Sequence, residues 1–166
     1  MLKVIGIILI IGGSGGYGIA RAVRLYRQLR QLRELLAALE LLKCELNYTL
    51  LPLPELCSVT AKRSRGEIRT FFTAFGSRVE LGRRHAAEEA LEESRLNLPS
   101  DAAMALLELC ETLGRYDMDG ENRMLRLSAQ RIQSAQARCE SEKRQMARSC
   151  AALAVCAGIA LAILML

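Results

Sequence analysis

The chain has no tryptophan, three prolines and a single histidine, His85. A lone histidine with no predictable acid partner is a poor general base. It also argues against a zinc site, because His85 is far in sequence from any of the six cysteines, and no two cysteines have Cys-x-x-Cys spacing. No glycine-rich loop followed by lysine is present to hold a phosphate, and there is no nucleophile elbow. Asp117-Met118-Asp119-Gly120 faintly matches a calcium loop. The match fails because Arg115 and Arg126 stand where the first ligand and the bidentate acid belong. These absences exclude the common enzyme classes, call for no cofactor or metal, and favour an adaptor or structural protein.

Charge is missing from both ends. Val4–Ala20 carries no ionisable side chain except Tyr17, and Ser149–Leu166 carries none apart from the thiols of Cys150 and Cys156. A bilayer core takes about 20 apolar residues in a helix, so each stretch is a short but acceptable span. Small residues fall at helical spacing in both: Gly12 and Gly16 in the first, Cys150, Ala154, Gly158 and Ala162 in the second. Such stripes let membrane helices approach closely. Ala20-Arg21-Ala22 has the form of a signal-peptide cleavage site, but the weak positive start and the arginines that follow predict an uncleaved anchor.

Basic residues crowd the inner ends of the two spans. Arg21, Arg24 and Arg27 follow the first, and Lys143, Arg144 and Arg148 precede the second, whereas only Lys3 lies outside. Basic residues mark the cytoplasmic side. The expected organisation is an N-terminal transmembrane helix at 1–20, a cytoplasmic domain at 21–148 and a C-terminal transmembrane helix at 149–166. The formal net charge of +5 belongs in part to this topology and to the lipid bilayer as a partner, not to nucleic acid.

Between the spans, the scarcity of helix breakers predicts long helices. No glycine or proline interrupts Ala20–Leu51, and none interrupts the stretch from Glu121 to Gly158. Leu25, Leu29, Leu32, Leu36, Leu39, Leu46 and Leu50 form a 4-3 stripe broken at Lys43, with Gln31 off it. Pro52 and Pro54 form a corner, followed by a short helix at Pro54–Ala61 and a basic turn, Lys62 to Gly66, read as a solvated loop. Glu67–Leu81 carries all three phenylalanines on one face, and His85–Ser94 is a short polar helix. A fifth helix opens with Ser100 as N-cap and closes at Gly114. Its apolar face is Ala103, Leu106, Leu107, Cys110 and Leu113. Met124, Leu127, Ile132, Ala135, Cys139 and Met146 mark the core face of the sixth. The fold class is all-α: a six-helix bundle whose first and last helices continue into the two spans. Cys57 and Cys110 serve as probes of which side of the membrane the domain occupies.

The chain resembles the stage III sporulation protein AB family of endospore-forming bacteria. The resemblance rests on the opening Met1-Leu2-Lys3-Val4-Ile5-Gly6, the arginine-rich exit and Leu29-Arg30-Gln31-Leu32. It continues through Glu45-Leu46-Asn47-Tyr48, Pro52-Leu53-Pro54-Glu55-Leu56 and Thr112-Leu113-Gly114-Arg115-Tyr116-Asp117 to the C-terminal anchor. It implies a domain similar to the cytoplasmic helical domain of the F-type platform protein of type II secretion and type IV pilus systems. It also implies a place in the channel complex between mother cell and forespore, in the outer forespore membrane with the domain facing the mother-cell cytoplasm. The implied partners are a secretion-type ATPase of the same operon and other channel-complex membrane proteins, with self-association open. Pro52 and Pro54 carry over as the corner after the first helix. Leu113, Gly114, Arg115 and Asp117 carry over as a fold-critical, contact-making turn. The alternative is a membrane-anchored adaptor, or a secretion or pilus platform outside sporulation.

Overall fold

The computed structural model describes the backbone of residues 2–49, 51–114 and 118–165, and the side chains of residues 20–49, 51–114 and 118–149. Among these residues the chain forms six α-helices and no strand. They are α1 (Leu2–Thr49), α2 (Leu53–Arg63), α3 (Gly66–Glu80), α4 (Ala86–Ser94), α5 (Ser100–Thr112) and α6 (Met118–Met165). Among the described residues no helix is long and apolar enough to cross a membrane. The expected spans, Val4–Ala20 and Ser149–Leu166, lie almost wholly outside the described side chains.

Residues 28–137 make one compact unit, and residues 1–27 with 138–166 make another. In the latter, Leu25 and Cys139 are buried. There Lys143 Nζ stands 4.1 Å from the centroid of the Tyr26 ring, a cation–π contact.

In the 28–137 unit, α1 is buried over more of its surface than a 4-3 stripe covers. Leu29, Gln31, Leu32, Leu35, Ala38, Leu39, Leu42 and Leu46 are all buried, whereas Leu36 is only half-buried. At 100° per residue these positions span about half the helix circumference. Such an arc needs more than one neighbour. Arg30 reaches Glu67 of α3 at 3.6 Å, Arg63 of α2 reaches Glu45 at 3.4 Å, and the α4–α5 connector meets Gln28 and Gln31.

The phenylalanine helix is central, as its pattern predicts. Ile68, Phe71, Phe72 and Phe75 have at most 2% of their surface exposed. Phe71 meets Phe72 edge-on, with centroids 5.3 Å apart, and is parallel to Phe75 at 5.9 Å. In the last turn of α3, Arg78 holds α4: its Nε donates to Glu89 at 3.0 Å and its Nη2 to Glu93 at 2.5 Å. These carboxylates hold the guanidinium proton more tightly than usual, Glu93 before Glu89. Glu89 and Glu93 thus tie α4 to α3 while remaining partly exposed.

Several expected boundaries and faces shift. α2 extends through Lys62 and Arg63, so the basic turn shrinks to Ser64 and Arg65. Ser100 is the first residue of α5 rather than its cap, because Pro99 holds the cap position with extended backbone. The face of α5 rotates toward Ala102, Ala105 and Leu109, leaving Ala103 and Leu107 half-buried. α6 starts at Met118 and buries Leu125 and Ser128, while Leu127 is 42% exposed. Small residues explain the α5 shift: alanine carries little pattern signal, yet it permits close helix contact.

Gly76 sets how closely α2 and α3 approach. A Cβ placed on it would lie 3.0 Å from Cys57 Cβ and 3.4 Å from the Pro54 carbonyl oxygen. Gly76→Ala is expected to destabilise the fold by about 1–3 kcal/mol through overpacking. Gly82, with φ +67 and nothing within 4 Å of a Cβ, gives a contrasting case. Gly82→Ala is expected to cost only about 1 kcal/mol, from its left-handed backbone. Thermal melts of the two variants check this order.

Candidate functional site

The corner after α1 and the turn after α5 are more than 50 residues apart in sequence, and both are dictated locally. Pro52 caps α2 with φ −58 and ψ 148, and Pro54 occupies the first turn of α2, where a missing N–H costs nothing. Leu113 is buried and closes α5. Gly114 then takes φ +83, a left-handed value that glycine adopts freely. Arg115 and Asp117 lie outside the described residues.

The fold brings corner and turn together. Leu53 Cδ2 lies 3.6 Å from where a Cβ on Gly114 would stand. The Gly114 N–H donates to Glu121 Oε1 at 2.7 Å, and Glu121 is 7% exposed. Beside them, Asn47 and Asn122 exchange side-chain hydrogen bonds: each Nδ2 donates to the other Oδ1, at 3.1 and 2.8 Å. The C-terminal end of α1, both ends of the α5–α6 connection and the start of α2 thus meet at one end of the unit. Tyr48 stands out there, 86% exposed. Glu121 and Asn122 were not among the sequence candidates. The only available signal was an acid in the first turn of a helix just after a glycine cap.

A second polar joint fastens the α4–α5 connector. The Asn97 N–H donates to Gln31 Oε1 at 3.0 Å, and Gln31 is fully buried although the 4-3 stripe leaves it outside. Its Nε2 has no hydrogen-bond partner among the described residues. This is a structural joint in the core, and no open cleft described here is lined by Gln31.

The remaining sequence candidates do not gather into a site. Gly12, Gly16, Ala154 and Gly158 lie outside the described side chains. Arg21, Arg24, Arg27, Arg144 and Arg148 are exposed, and Lys143 is half-buried against Tyr26. His85 Nδ1 is 3.1 Å from Glu88 on the helix surface, a local pair rather than a catalytic one. Among the described residues no three His, Cys, Asp or Glu side chains cluster to hold a metal. The clefts flanking α3 are lined by neither histidine nor cysteine. Among the described residues the candidates therefore do not converge on a cleft.

Burial also alters the cysteines. Cys57 is fully buried and its thiol pKa is pushed up to about 12 by desolvation. Cys110 is pushed well up by the same cause, with smaller contributions from Cys57 and Glu111. The expected use of these two thiols as topology probes is therefore corrected. Cys44 is exposed and is the appropriate probe.

Comparison with known proteins agrees with the resemblance read from the sequence. The family described as Stage III sporulation protein AB matches residues 3–166. Stage III sporulation protein AB of Bacillus subtilis (strain 168) is 27% identical over 172 residues, covering all of both chains. A solved structure titled Stage III sporulation protein AB (SpoIIIAB) superposes with a TM-score of 0.64 at 27% identity. It covers 72% of this chain and 98% of its own.

Two outcomes are expected from this geometry. Glu121→Ala removes the acceptor of the Gly114 N–H and should cost about 1–3 kcal/mol, with Glu121→Gln costing less because it keeps an acceptor. Chemical denaturation measures both. Between pH 7 and 10 an exposed thiol becomes thiolate, whereas Cys57 stays protonated because its pKa is about 12. A maleimide should therefore label Cys44 in the native protein and reach Cys57 and Cys110 only after unfolding, as peptide mapping would record.

Proposed function

This chain belongs to the stage III sporulation protein AB family, and we propose that it is a non-enzymatic membrane platform that docks a secretion-type ATPase. Membership supports a role in sporulation, and the family is named for a sporulation stage rather than for a reaction. On this reading the platform sits in the channel complex between mother cell and forespore. It is a multi-pass protein of the outer forespore membrane whose helical domain faces the mother-cell cytoplasm. Its partners are the ATPase of the same operon and other membrane proteins of the complex.

One observation carries the reading. The family stretches Asn47-Tyr48, Pro52-Leu53-Pro54 and Leu113-Gly114, scattered in sequence, converge at one end of the 28–137 unit. They do so around the Asn47–Asn122 amide pair, the Gly114 bond to Glu121 and an exposed tyrosine, and Glu121 lines none of the clefts described. An enzyme would instead be expected to converge titratable groups on a cleft. The spacing of Gly12 and Gly16 supports a second reading, a membrane-anchored adaptor that associates through its spans.

The two readings separate experimentally. The detergent-solubilised full chain is expected to co-purify with the ATPase at micromolar concentration, and Gly12→Leu/Gly16→Leu should leave that binding in place. Absence of binding by the unaltered chain would refute the platform. Loss of all partner association in the double leucine variant would favour the adaptor.

A further inference from the structure

Lys62, Arg63, Arg65 and Arg69 crowd the corner where α2 turns into α3, and all four are exposed. Arg63 is paired with Glu45. Lys62, Arg65 and Arg69 have no ion pair among the described residues. Elsewhere in the unit several cations are matched: Arg30 with Glu34 and Glu67, Arg78 with Glu89 and Glu93, Arg131 with Glu108. The corner therefore holds three uncompensated positive charges within eight positions of chain. The negative end of α2 and the positive start of α3 meet here, so their dipoles offset one another and the field comes from the side chains.

The corner also has relief on both sides. Lys62 and Arg69 rim a cleft of about 350 Å³ between α2 and α3, whose lining includes Ala61, Phe72 and Gly76. Arg63 and Arg65 rim another of about 190 Å³ against α1, with Ala37, Ala38 and Leu41 in its lining. Each cleft contains one acid, Glu80 and Glu34 respectively, and Glu34 is already engaged by Arg30 at 3.7 Å. The hydroxyls of Thr73 and Ser77 donate to the carbonyls of Arg69 and Thr73 within α3, which leaves the cations as the main recognition elements. A membrane surface would need only the charges. Clefts with apolar lining beside a basic ridge suit a protein segment that alternates acidic and apolar side chains. The only aromatic ring lining either cleft is the buried Phe72, so nothing is offered for stacking a nucleic-acid base.

We propose that this basic corner is the docking surface for an acidic, partly apolar segment of the partner. It rests on the platform reading, in which that partner is the secretion-type ATPase. Charge complementarity of this kind sets encounter rate and salt dependence before it sets affinity.

The test uses the full chain in phosphatidylcholine nanodiscs, titrated with the ATPase. Lys62→Glu/Arg65→Glu/Arg69→Glu should weaken binding by about tenfold or more and flatten its salt dependence. Its thermal melt should stay close to that of the unaltered chain, because all three residues are exposed. An equal charge change elsewhere, Arg84→Glu/Arg123→Glu/Arg126→Glu, should leave binding within about twofold. If the corner variant binds as the unaltered chain does, the surface is misassigned and the platform reading stands. Equal weakening by both variants would reduce the effect to net charge and overturn the proposal. Loss confined to nanodiscs containing phosphatidylglycerol would identify an anionic lipid surface instead. If the unaltered chain fails to bind at all, the platform reading falls and the docking surface with it.

Discussion

Burial of half the circumference of α1 is the constraint from which the rest of the 28–137 unit follows. Leu32, Leu35 and Leu42 are wholly removed from water, and Gln31 with them. No single antiparallel helix can cover an arc that wide, so the unit must bring several short elements against α1. The corner at Pro52–Pro54 returns the chain onto that helix. The phenylalanine face of α3 fills the interior, and Asn97 closes over Gln31. Each fully buried Leu or Phe contributes about 1.5–3 kcal/mol relative to exposure. The ion pairs that bridge the helices lie at the surface, where such pairs contribute about 0–1 kcal/mol each. Apolar burial therefore holds the unit together, and the charged pairs set which helix faces which.

Much of this was legible in the sequence. Proline and glycine positions delimit six helices, and the clustering of Phe71, Phe72 and Phe75 identifies the central one. Helix faces were less legible where the buried residue is small or polar. Ala102 and Ala105 line α5 because a methyl group permits close approach, and a reading based on leucines places the face one step away. Ser128 and Glu121 are buried on α6 although their residue types argue for the surface. Gln31 is the clearest case, since its burial depends on a backbone N–H of Asn97 that arrives from 66 positions away. Local pattern does not encode a partner at that distance.

The candidate site divides in the same way. The corner and the turn were identified from their motifs, but their contact was not, because it arises from the path of the four helices α2 to α5 between them. The basic run Lys62–Arg65 reads from sequence as a solvated loop. In the folded chain, α2 claims its first two residues and two clefts flank it. What changes is its surroundings: the same charges now border concave, partly apolar ground.

The reciprocal bond between Asn47 and Asn122 has an evolutionary corollary. Each amide is at once donor and acceptor for the other, much like a base pair, so a charged side chain introduced at one position alone leaves two like groups facing. An aspartate at one position sets oxygen against oxygen, and a lysine sets donor against donor. Two sites 75 residues apart are thereby coupled in the charge they tolerate. Across descendants of this chain, an acid or a base at one of them should be accompanied by a change at the other.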